Sequence, residues 1–195
     1  MKYSGLTMIL LAGLSVAGNP GLLIVPGERV GIVPLDISRV ELSNLVGDEV
    51  LIDTTVHLGE GFMAPGTLVF PGTKRELEIT WYDSLMNSTV GITVTGEAYE
   101  TFEGIYIGMS LTDVNSLLGE FRLLGFAWDY EGQADFSGTS IGDGIYAAFY
   151  AGERDTPERL EAWESVLGDG WFSSLNPGMV NLDPRIASIS IYSSY

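Results

Sequence analysis

Four carboxylates in this chain stand beside aromatic rings or turns: Glu60, Asp83, Asp129 and Glu131. Two of them belong to aromatic triplets, Trp81-Tyr82-Asp83 and Trp128-Asp129-Tyr130. Two carboxyl groups at a suitable separation can cleave a glycosidic bond, and aromatic faces beside carboxylates also suit sugar stacking or the docking of a basic loop. The same residues have a structural reading, with the tryptophans in a core and the aspartates accepting hydrogen bonds from loose amides at strand ends. Asp129, Glu131 and Asp135 alternate oxygen ligands around Gly132, but without the spacing of an EF-hand.

Other chemistries are excluded by composition. His57 is the sole histidine, there is no cysteine, and no Gly-x-Ser-x-Gly elbow occurs, so a Ser-His-Asp triad would have to use His57. Its setting, TTVHLGE, interleaves polar and apolar residues and reads as a strand surface. One histidine without cysteine cannot build a zinc site. Despite 25 glycines, no phosphate-cradling loop of the Walker or dinucleotide type is present. The expectation is no catalytic residue, no metal and no cofactor.

The chain has 195 residues, 46% of them hydrophobic, enough for one ordinary core or two small ones sharing an interface. Nine Lys and Arg against 26 Asp and Glu give a net charge of -17, which repels nucleic acid and anionic membrane faces. Lys2, an uncharged apolar run from Leu6 to Val16, and small residues at Ser15 and Ala17 read as a signal peptide over residues 1–17. Charges or turn residues break every later apolar run, so no stable membrane insertion is expected once the signal is removed. The implied location is the periplasm or the outside of the cell.

The elements that must position the carboxylates show an internal echo. In "VPLDISRVELSNLVGDE" and "IYIGMSLTDVNSLLGEF", Ser38 matches Ser110, Leu45 matches Leu117 and Gly47 matches Gly119 at one constant offset. Each serine is placed to cap a helix whose third residue is acidic, Glu41 or Asp113, and each glycine suits the left-handed C-terminal position. Strands are predicted to follow in "VLIDTTVHLGEG" and "RLLGFAWDYEGQ", then in "GTLVF", "LEITWYD", "VGITVTG", "GIYAAFYAG" and "IASISIY". In the last of these, Ile186, Ser188 and Ser190 should share one face and Ala187, Ile189 and Ile191 the other. Leu123, Leu124, Phe126 and Trp128 read as a core strand, with Asp129 and Glu131 marking its exit.

The fold class is therefore α+β, as two tandem repeats of a short capped helix plus a three- or four-stranded antiparallel sheet. After the signal, residues 18–30 read as a linker, 31–98 as the first repeat and 99–195 as the second. The second carries an inserted helix at 156–167, opened by Pro157, capped by Asp155 or Thr156, and presenting Leu160, Trp163 and Leu167 on one face.

Gly108-Met109-Ser110 at the helix start and Leu117-Leu118-Gly119-Glu120 at its end resemble the repeat of the β-lactamase inhibitor protein and of the small lipoprotein subunit of the outer-membrane β-barrel assembly machine. Both families act by binding proteins. This chain departs from them in having no cysteine to carry lipid and one clear helix per copy rather than a helix pair. A broader likeness is to an uncharacterised family of exported bacterial proteins. It is carried by Gly59-Glu60-Gly61, Pro65-Gly66-Thr67, Leu77-Glu78-Ile79 with Trp81 and Asp83, and Gly125-Phe126 with Trp128-Asp129-Tyr130. That resemblance implies no catalytic residue.

The expected function is an exported non-enzymatic binding module for a protein or envelope component, with Trp81, Asp83, Trp128, Asp129 and Tyr130 as binding residues. The alternative is a carboxylate-dependent hydrolase of envelope glycan using Asp83, Asp129 or Glu131.

Overall fold

Two serines start two helices of equal length. The structure, a computed structural model, describes residues 19–193; the expected signal peptide lies outside the described residues. In α1 (Arg39–Val46) the Ser38 hydroxyl accepts from the Glu41 N–H while the Glu41 carboxylate accepts from the Ser38 N–H, a closed capping box, and Gly47 ends the helix at φ 88°. In α2 (Leu111–Leu118) Ser110 accepts from the Asp113 N–H and Gly119 ends the helix at φ 77°. Ahead of α1 lie β1 (Leu23–Val25), β2 (Arg29–Val30) and β3 (Val33–Pro34). After it come β4 (Leu51–Gly59), β5 (Phe62–Val69), β6 (Leu77–Trp81), β7 (Thr89–Val94) and β8 (Glu100–Thr101). Beyond α2 the chain forms β9 (Arg122–Leu124), β10 (Gln133–Asp135), β11 (Ile145–Tyr150), α3 (Pro157–Glu164), β12 (Trp171–Ser173), α4 (Pro177–Leu182) and β13 (Arg185–Tyr192).

The fold is α+β, but the strands do not form one sheet per copy as expected. They join into a single nine-stranded antiparallel sheet, β12-β9-β10-β11-β13-β7-β6-β5-β4, and a small sheet β3-β2-β1-β8. Outward from the β7–β13 seam, the order runs β7-β6-β5-β4 on one side and β13-β11-β10-β9 on the other, each leading back along the chain toward a capped helix. The two arms are unequal: β4 has nine residues and β9 three. The stretch expected to be a linker is structured, since β1 and β2 fall within it and bury Ile24 and Val30.

One face of the large sheet is apolar and covered. Leu77, Ile79 and Trp81 of β6, Ile92 and Val94 of β7, Ile189 and Ile191 of β13 and Phe149 of β11 pack with Leu42, Leu111, Val114 and Met179 from the helices. At one edge of this core a hydrogen-bond relay anchors α1. The Trp81 indole N–H donates to the Thr67 hydroxyl (2.9 Å), Thr67 donates to Asp53 (2.7 Å), and Arg39 donates to the same carboxylate (2.7 Å) and to Asp48 (2.9 Å). The guanidinium of Arg39 holds the Asp53 carboxyl below its ordinary range.

Three expectations are corrected. A β-bulge at Ala148/Phe149 pairs Ala148 with Ser188 and Phe149 with Ile186, skipping Ala187; it puts Ile186 in the core and leaves Ala187 exposed. The inserted helix ends at Glu164, is capped by Thr156, and turns Ala162 inward with Leu160 outside; Leu167, beyond its end, is also exposed. A second short helix, α4, follows it unforeseen. Finally, the strand through "RLLGFAWDYEGQ" stops at Leu124. Among the described residues no helix is long and apolar enough to cross a membrane.

Candidate functional site

The face of the large sheet opposite the core is the one left open. Strand alternation turns Glu78 and Thr80 to the side away from Leu77, Ile79 and Trp81. Cross-strand register then aligns a polar row: Tyr146 opposite Ser190, Ser190 opposite Thr93, Thr93 opposite Glu78. At about 4.8 Å per strand, the row spans roughly 14 Å. The Thr93 and Ser190 hydroxyls are hydrogen-bonded to each other at 2.9 Å. A second row places Tyr192 opposite Gly91, Gly91 opposite Thr80 and Thr80 opposite Gly66. Its two glycines leave room for neighbouring side chains to lie on the sheet surface. The Tyr192 ring lies over Gly91, where an added Cβ would meet it at 2.6 Å, and packs edge-on against Tyr146 with centroids 5.5 Å apart.

The sheet is curled until its two ends touch. The β4–β5 hairpin runs past the end of β6 and folds over the open face at Gly66, where Val56 packs so closely that a Cβ on residue 66 would lie 2.3 Å from its Cγ2. The hairpin tip then meets the loop between β9 and β10. The Glu60 N–H donates to Asp129 Oδ2 at 2.7 Å, the Tyr130 hydroxyl donates to the Leu58 carbonyl at 3.4 Å, and the Tyr130 ring covers Gly59. β4 and β9 lie at or next to opposite ends of the sheet order, so this contact closes the open face into a cleft. The cleft has a volume of about 320 Å³, with the rows above as its floor, Val56, His57 and Leu58 as one wall, and Asp129, Tyr130 and Glu131 as the other.

The expected binding residues separate into two groups. Asp129 and Tyr130 meet the hairpin at the latched end, and Trp128, next to them in the same loop and expected in the core, is 62% exposed. Ala127 takes a positive φ of 73°, which ends the extended path and turns Trp128 outward. Trp81 is fully buried on the opposite face, and Asp83 accepts from the Leu85 N–H in the turn after β6, away from the cleft. The candidate acids are used as loop braces: Asp129 as above, and Glu131 accepting from the Ala127 N–H at 2.8 Å. Asp135 accepts from Arg122 and from Ser137.

Glu78 is the functional candidate that sequence reasoning missed. Its only sequence signal was a lone acid opposite three core residues in a five-residue strand. It is half-buried in the cleft floor, and burial pushes its carboxyl above the ordinary glutamate range, with the charge of Glu76 adding to the effect. Among the described residues no lysine or arginine lines the cleft. Phe62 at 67% and Met63 at 51% exposure, with Leu58, make the hairpin tip apolar, and it meets a loop that exposes Trp128 and Tyr130.

No protein-family model matches the sequence, and no curated protein does. Among solved structures, the chain is similar to the crystal structure of the uncharacterized protein yfeY from Escherichia coli, at 15% identity and a TM-score of 0.47, covering 86% of this chain and 94% of that chain.

Proposed function

We propose that this chain is an exported, non-enzymatic binding module, and that it holds a protein partner against the latched end of its curled sheet. The observation that carries the reading is the meeting, at one end of a cleft, of the β4–β5 tip, which exposes Phe62 and Met63, with the β9–β10 loop, which exposes Trp128 and Tyr130. Large aromatic and apolar side chains exposed together, rimmed by polar groups, are the composition of interaction hot spots. A net charge of -17 favours a basic partner and would speed its approach. Export, to the periplasm or beyond, is read from residues 1–17 of the sequence. The outward order of strands from the β7–β13 seam, with a capped helix at the head of each arm, supports descent of the two arms from one duplicated unit.

The glycan-hydrolase alternative draws less support from the geometry. Asp83 stands outside the cleft, and Asp129 and Glu131 are engaged by backbone amides. The test is affinity capture from envelope extract with the wild-type chain and with the Phe62→Ala/Trp128→Ala double variant. The wild type should retain a partner that the folded variant loses by at least tenfold. Equal recovery from both, or no recovery from either, would overturn the reading.

A further inference from the structure

The cleft floor presents one carboxylate with nothing to neutralise it. Glu78 is half-buried on β6, lines the cleft, and forms no hydrogen bond or ion pair among the described residues, whereas the other two acids of the cleft are occupied by backbone amides. Burying a carboxylate without a counter-charge is costly, and a cation placed against it recovers that cost. Across the sheet Glu78 faces Leu68 on β5, and on the β7 side its neighbours are acceptors or π faces. Thr93 and Ser190 continue its row, and the Tyr146 and Tyr192 rings stand at the far end. A planar cation with several N–H donors matches this end of the row better than a point charge does, because one side of its fork can meet the Glu78 carboxylate while another donor reaches the Thr93 hydroxyl opposite, on the strand whose Gly91 the Tyr192 ring covers. The volume, about 320 Å³, sits at the low end of the range of roughly 300–1,000 Å³ for small-molecule pockets, and suits one long side chain better than a polymer.

We infer that the cleft is the seat of a single arginine side chain contributed by the protein partner, with Glu78 as its counter-ion, the Thr93 hydroxyl as a second acceptor and the Tyr192 ring over Gly91 as the face bordering it. The inference rests on the binding reading above and adds the chemistry of the contact. In this arrangement the hairpin tip and the β9–β10 loop take the partner's surface, and the cleft behind them takes one residue of it. The overall acidity of the chain and the absence of any basic residue lining the cleft, among those described, both favour a cationic occupant.

The probe is arginine blocked at both ends (N-acetyl-arginine amide), titrated into the isotope-labelled full chain and followed by amide NMR. Blocked citrulline, its neutral isostere, and blocked lysine are run in parallel. Blocked arginine should move the amides of Glu78, Thr93 and Ser190 with a dissociation constant on the order of a few millimolar, the scale of one charge-assisted contact. Citrulline should bind at least tenfold more weakly, and lysine more weakly than arginine. Glu78→Gln should weaken arginine binding at least tenfold while keeping the wild-type spectrum elsewhere; Glu164→Gln, on α3, should leave it unchanged.

Citrulline binding as well as arginine, lysine binding as well as arginine, or unaltered binding in Glu78→Gln would each overturn the assignment. Partner capture that depends on Phe62 and Trp128, with no arginine binding, would overturn this inference and leave the binding reading standing. Arginine binding at Glu78 without any captured partner would support the guanidinium seat and overturn the protein partner as its source.

Discussion

The backbone N–H of Glu60 donates to the Asp129 carboxylate at 2.7 Å, joining residues that lie 69 positions apart and near opposite ends of one sheet. This bond and the Tyr130 contact on Gly59 are what keep the hairpin over the open face. Asp129→Ala should therefore raise hydrogen exchange at Glu60 and its neighbours in the tip by at least tenfold, while lowering global stability by only about 1 kcal/mol. Exchange mass spectrometry with a parallel urea melt reads both. Unchanged exchange would mean that the tip is held by its own hairpin alone.

The fold of β5 over the sheet depends on a missing side chain. Gly66→Ala places a methyl 2.3 Å from Val56 Cγ2 and 3.1 Å from the Ile79 carbonyl, a conflict expected to cost about 1–3 kcal/mol. Trimming the neighbour by Val56→Ala should recover part of the loss. A double-mutant cycle by chemical denaturation gives the coupling, and additivity of the two changes would refute the contact.

Arg39, Asp53, Thr67 and Trp81 form one chain of donors and acceptors from α1 into the core. The Asp53 carboxyl is held low by Arg39, so its stabilising effect is present above the ordinary value of 3.8 and is lost as pH falls through the lower folded value. Asp53→Asn should be less stable than wild type by about 1 kcal/mol at pH 7, a figure limited by the partial exposure of the pair. That gap should narrow as pH falls below 3.8 and close once pH is below the lower folded value, measured by thermal melts across pH.

The two helix starts are equivalent tests of local capping. Ser38→Ala and Ser110→Ala should each cost about 1 kcal/mol, within the range of roughly 0.5–2 kcal/mol for lost N-caps. Serine to glycine at either site should cost only a few tenths of that unit.

Glu78 carries the opposite pH dependence to Asp53. Its folded carboxyl is raised, so the folded state binds its proton more tightly, and ionisation as pH rises through that value destabilises the fold. Glu78→Gln should melt higher than wild type at pH 7 and level with it near pH 3. A lower melting temperature at pH 7 would show that the carboxylate has a partner after all.

The legible parts of this fold are those set by neighbours in sequence. The caps at Ser38 and Ser110, the terminating glycines and the alternation of β6, β7 and β11 follow from residues within one turn or one pleat. The errors arise where distant chain decides. Gly125 is pressed against the carbonyls of Val166 and Gly168, leaving no room for a Cβ, and two residues later Ala127 turns the chain away. Nothing local distinguished Trp128 from Trp81, and only the surrounding structure sends one to the surface and the other inward. The bulge that returns Ile186 to the core, with Ala187 as the extra residue, is likewise visible only in the pairing with β11. The cleft floor was invisible because it draws single residues from separate strands, joined by register and by no motif.

The seam between β7 and β13 pairs residues 91–94 with residues 189–192. A growing polypeptide can zip β4 through β7 as soon as they emerge, yet the inner rim of that half stays bare, with its amides and carbonyls unpaired, until position 192 arrives. The most central ribbon of the molecule is thus among the last to be supplied, and a chain cut short of it would present a sticky rim to every other such chain.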